Sequence, residues 1–138
     1  MDRYSDIVDR IAVEQDVSHE TARRHFEGAL QFLELAASSH DRLTPSAPID
    51  RAWHAFILHT EEYARYCHET LGRFVHHKPA PTRSGDSEMY SRTLELARSR
   101  FGDLDDDVWV DPSMWCRGQG TNCGPGGCWS PNDGTSRQ

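Results

Sequence analysis

Apolar residues recur every three or four positions in four separate stretches of this chain, with no strand-rich region or internal repeat between them. That periodicity predicts a mainly α protein: a small helical domain of about four helices. Tyr4, Ile7, Val8, Ile11 and Ala12 mark a helix over 3–15. Ser18 is placed to cap a second helix, over 18–38, with the stripe Ala22, Phe26, Ala29, Leu30, Leu33 and Ala36. After a loop with two prolines, a third helix is expected over 49–71, stopped by a left-handed Gly72. Its stripe reads Ile49, Trp53, Phe56, Ile57, Thr60, Ala64, Cys67 and Leu71. A fourth, over 87–101, carries Tyr90, Leu94, Ala97 and Phe101 and ends at Gly102. Helices two and three should pack antiparallel, with Phe26, Leu30, Leu33, Trp53, Phe56 and Ile57 at the centre of one core.

At 138 residues the chain is long enough to bury such a core without disulfides. A mean hydropathy of -0.74 is polar for a globular domain and suggests that part of the chain is unpacked. The division expected is a helical domain over 1–102, with a Pro-rich linker at 78–85, and an irregular segment over 103–138. That segment begins with an Asp-rich turn and ends in a Gly/Cys/Trp-rich tail. Twenty-two acidic against 15 basic residues give a net charge of -7, the wrong sign for phosphate backbones or anionic lipid. No apolar run reaches the roughly 18 residues of a membrane span, and MDRYSDIVDR lacks a signal-peptide pattern. A cytoplasmic protein with no membrane partner is therefore expected.

Histidine and cysteine carry the chemistry. Five of the eight histidines lie between His54 and His77, and three of the four cysteines fall in the last quarter of the chain. In a reducing compartment such clustering points to metal or redox chemistry before disulfides. Cys67 sits near the end of the third helix, and the turn at Gly72 can bring His76 or His77 back beside it. Thiolate with imidazole is a ligand set for zinc, or alternatively iron. The tail spaces Cys116, Cys123 and Cys128 as C-x6-C-x4-C, looser than a zinc knuckle, and any of them can complete a tetrahedral set. Alternatively, Cys67 is a buried structural thiol, the two histidines merely pin the loop, and the tail thiols are unpaired.

Asp50 and His54, four apart, share a helix face. They are read as a polar pair at the helix start, as a carboxylate orienting a ligand histidine, or as a weaker second metal site. His54 and Cys67 lie about 20 Å apart along a straight helix and cannot share one ion. His59 is expected on the solvent side.

The pattern P-S-x-x-x-D-x-x-W-H-x-F-I-L-x-T-x-x-Y-x-x-x-C-x(4)-G-x-F-x-H-H-x-P spans Pro45 to Pro79. It includes Asp50, Trp53, His54, Tyr63, Cys67, Gly72, His76 and His77. This pattern resembles small bacterial and phage proteins that are similar to the N-terminal region of plant glycine-rich-domain proteins. The likeness runs more loosely through Tyr90, Thr93, Phe101, Gly102 and Trp109. It implies a shared helical framework and supplies no reaction.

Two other classes compete. IAVEQDVSHETARR imitates a helix-turn-helix that would turn His19, Glu20, Arg23 and Arg24 toward DNA. Residues 1–37 carry eight acidic and four basic side chains, so nucleic acid is not the expected partner. No nucleophile elbow, phosphate loop, zinc-protease or dinucleotide motif is present, which leans away from an enzyme and toward no assigned catalytic residue. The reading preferred is a small metal-binding protein, with zinc the expected metal; the alternative is a protein-interaction adaptor without metal and with an unknown protein partner.

Overall fold

The computed structural model describes residues 2–40, 42–78 and 86–110, and over these it is mainly helical, with no strand. A short 3-10 turn, Asp2–Tyr4, leads into α1 (Ser5–Gln15). Then come α2 (His19–Ser38), α3 (Ala47–Leu58), α4 (Thr60–Tyr66), a π turn (Cys67–Leu71) and α5 (Asp86–Phe101). Ser18 caps α2 by accepting from the Thr21 N–H at 3.1 Å, as its sequence position predicts. Gly72 and Gly102 both take left-handed backbone angles, φ 82° and 80°, at the two stops expected of them.

The α2 helix is the hub, because it buries more than one stripe. Phe26 meets Phe56 of α3 edge-on at 5.2 Å, and Phe32 packs against Trp53 at 5.3 Å. Tyr4 closes the first cluster, 5.3 Å from Phe26. On another side, Gly28 admits the Val108 side chain, which a Cβ at that position would overlap. Val108 and Trp109 were expected in the irregular segment beyond 102, yet both are fully buried in the helical core. The Trp109 indole donates to the Gln31 side chain at 3.0 Å, and the Ser46 hydroxyl donates to the Val108 carbonyl at 2.7 Å. Leu30 and Ile57, expected at the centre, are only partly buried; Phe32, outside the predicted stripe, is fully buried.

The long third helix predicted over 49–71 is two helices. At His59 the backbone leaves the helical region (φ -89°, ψ 73°), and α4 restarts with the Tyr63 N–H bonded to the His59 carbonyl at 2.9 Å. The reason lies in the stripe. A continuous helix would bury Thr60 and Ala64; the break leaves both exposed and turns Tyr63 and Tyr66 inward instead, while Cys67 is buried as the stripe predicts. Two large aromatic rings bury far more apolar surface than a threonine and an alanine. His59 is not freely solvated either, since its ring accepts from the Arg10 guanidinium at 3.2 Å.

A second set of contacts closes α2 against the turn after α5. Arg24 donates to both carboxylate oxygens of Asp105 at 2.7 Å and to Asp107 at 2.8 Å. These bonds hold the Asp105 carboxyl below its ordinary range and keep Arg24 firmly protonated. His19 lies 2.6 Å from Asp9. Two of the four side chains that a helix-turn-helix would offer to DNA are thus already engaged by carboxylates.

Candidate metal centre

The site is built on the first turns of α3. Ser46 accepts from the Ile49 N–H at 3.3 Å and so supplies the cap. Asp50 is not needed for that role, and its carboxylate is left for other partners. On a helix, residues three and four further along share its side. One of these, Trp53, turns into the core; the other, His54, stays at the surface with its side chain 57% exposed.

What brings a third ligand to them is a buried relay. The Trp53 indole donates to the Tyr63 hydroxyl at 3.0 Å, and that hydroxyl donates to the Val75 carbonyl. Burial raises the Tyr63 pKa well above its usual value, so the phenol keeps the proton that it donates. The relay ties the extended stretch after Gly72 onto α3. Along that stretch Phe74, His76 and Lys78 face out, while Val75 is buried and His77 is partly covered. Successive side chains of an extended chain point to opposite sides. Once Val75 is drawn inward, His77 follows and His76 cannot.

His77 therefore lies over Trp53, ring centroids 4.4 Å apart, with its Nε2 2.8 Å from Asp50 Oδ1 and 2.8 Å from His54 Nε2. The third side of the triangle, His54 Nε2 to Asp50 Oδ1, is 3.7 Å. Among the described residues, these three form the one group of His, Cys, Asp or Glu side chains close enough together to hold a metal ion.

This differs from the set favoured by the sequence. Cys67 is buried in the π turn beside Tyr63 and joins no such group. His76 packs its ring against Phe74 at 4.8 Å and points away. A return of His76 or His77 to Cys67 requires a straight third helix. The break at His59 and the anchor at Val75 carry His77 to the start of α3 instead. Cys116, Cys123 and Cys128 lie outside the described residues. The sequence alone does not distinguish His77 from His76, because Phe74 and Val75 are both apolar; the Tyr63 bond to the Val75 carbonyl decides it.

Fold and site together define a small protein, mainly helical over its described residues, with a two-histidine, one-carboxylate cluster at its surface. A family model described as UCP032817-like matches residues 4–96, which include all three cluster residues, and the chain belongs to the UCP032817-like family. Comparison with curated proteins and with solved structures finds no match. No helix among the described residues is long and apolar enough to cross a membrane.

Proposed function

We propose that this protein binds one divalent transition-metal ion on Asp50, His54 and His77, with zinc preferred and iron as the alternative. The observation that carries the reading is the convergence of Asp50 Oδ1, His54 Nε2 and His77 Nε2, 2.8–3.7 Å from one another. A single proton on His77 Nε2 can serve only one of its two 2.8 Å neighbours well, whereas a cation serves all three lone pairs at once. The size of the triangle supports the same reading. Ligand atoms bonded to zinc at about 2.0–2.1 Å in tetrahedral array sit roughly 3.3 Å apart. Two imidazoles and a carboxylate are a donor set that zinc and iron(II) both accept. All three ligands lie in the D-x-x-W-H and H-H-x-P elements that carry the resemblance to glycine-rich-domain proteins. The same centre is therefore expected wherever both elements are present.

Protein purified without a histidine tag should take up one equivalent of zinc, measured by elemental analysis and isothermal titration. Asp50→Ala, His54→Ala and His77→Ala should each lower the affinity sharply. Cys67→Ser and His76→Ala should leave it unchanged. Folded protein that takes up no zinc or iron would remove the metal reading and leave the adaptor without metal.

A further inference from the structure

We infer that the metal ion proposed above keeps exchangeable positions and binds a small oxygen-donor anion there, so that the centre is of the reactive kind rather than a structural staple. The inference rests on the metal reading, and four observations extend it. First, the three ligand atoms span a triangle too small for an ion bonded at about 2.1 Å to each corner to lie among them, so they would hold it from one side. Second, no fourth His, Cys, Asp or Glu joins the cluster among the described residues. Structural zinc closes its four positions with protein ligands, and three protein ligands are the pattern of sites that bind water or substrate.

Third, the cluster is open to solvent at one edge and rigid at the other. The His54 and Asp50 side chains are 57% and 39% exposed, while His77 is 15% exposed and backed by Trp53. The exposed His54 edge is the side from which an incoming ligand would approach. Fourth, the charge is unbalanced. A divalent ion with one carboxylate and two neutral imidazoles retains one positive charge, which favours an anionic partner. The ligand class indicated is a small carboxylate, hydroxamate or similar oxygen chelate.

Cobalt(II) reports both steps in one preparation of the full chain. Equilibrium dialysis first asks whether one equivalent of cobalt binds and whether His77→Ala abolishes it. If wild-type protein binds none, the metal centre and this inference both fall. With cobalt bound, acetohydroxamate and, separately, acetate are titrated while the visible absorption is recorded. The expected result is a saturable shift of the cobalt bands with an isosbestic point, competed by either anion. Bands that ignore both anions overturn the inference and leave the metal centre standing. The form of that failure is also readable. An intense sulfur-to-cobalt band lost in a Cys116→Ser, Cys123→Ser or Cys128→Ser variant would identify a tail thiolate as the closing ligand.

Discussion

Two clusters of charge tie distant parts of this chain together, and they differ in how their donors and acceptors balance. At the first, Arg24 of α2 meets Asp105 and Asp107, about eighty positions along, and every short contact pairs an N–H with a carboxylate oxygen. A guanidinium brings five donors and no acceptor, so the match is nearly complete. At the second, Asp50 and His54 of α3 meet His77, and oxygen and nitrogen lone pairs converge with too few protons between them. Both clusters fix a loop to a helix. Only the second could gain from a cation, and on that contrast rests the proposal that one is a fastening and the other a binding site.

The largest effect should come from the residue on which the second cluster rests. Trp53 is nearly buried, stacks against Phe32 and His77, and donates to Tyr63. Trp53→Ala should cost about 3–5 kcal/mol in chemical denaturation and loosen His77 enough to weaken metal uptake. A loss below about 1 kcal/mol would put Trp53 outside the core and break the link drawn between packing and ligand placement.

Next in size is the stabilisation by metal itself. A ligand that binds only the folded state, at a hundredfold excess over its dissociation constant, adds about 2.7 kcal/mol. Zinc should therefore raise the melting temperature of the wild type, and chelator should reverse the rise. His77→Ala should lose the response and Arg24→Ala should keep it in full. If Arg24→Ala loses it too, the clusters are not independent and the comparison fails.

How much of this was legible in the sequence depended on which force decided each feature. The apolar period placed all of the helical segments, and Ser18, Gly72 and Gly102 marked three of their boundaries, because caps and glycine stops act through local geometry. The break at His59 was not legible. It is decided by Tyr63 and Tyr66 outcompeting Thr60 and Ala64 for the core, a tertiary contest that spacing alone scores the wrong way. The grouping of the candidate residues was hidden in the same way. Asp50, His54 and His77 were each recognisable as ligand types, but their meeting depends on the Trp53–Tyr63–Val75 relay, which joins three segments through one phenol. Arg24, which a helix-turn-helix would turn toward DNA, is held instead by Asp105 and Asp107, partners too distant in sequence for spacing to reveal.

A smaller effect should follow from removing that fastening. Arg24→Ala should lower the melting temperature by less than either change above, and added salt should shrink the difference, since the pair is partly solvated. Acid should act on the same bond. The Arg24 hydrogen bond depresses the Asp105 pKa in the folded state, so its contribution is present above the ordinary value of 3.8 and is lost as pH falls below it. An Arg24→Ala protein should show a shallower acid limb there. An unchanged limb would mean that the contact does not persist in solution.

The smallest effect concerns His25, which lies beside the fastening and sharpens the comparison with the two site histidines. It is 8% exposed, and its Nδ1 has no hydrogen-bond partner within the described protein. Burial lowers its pKa below 6.5; Arg24 and Arg51 push the same way, while Asp105 and Asp107 oppose them. Above pH 6.5 the ring is neutral folded or unfolded and adds no pH dependence. Below 6.5 the unfolded chain takes up a proton that the folded one resists, so stability falls with pH until the folded ring also protonates. His25→Gln should flatten the stability profile just below pH 6.5 relative to wild type, with chelator present in both so that metal does not contribute. Arg24→Ala should flatten it in part, because it removes a neighbouring cation and unmasks two carboxylates, both of which favour the charged ring. Should His25→Gln and wild type trace parallel profiles through this range, the ring is already protonated or solvated when folded, and the tight packing assigned to that side of α2 is wrong.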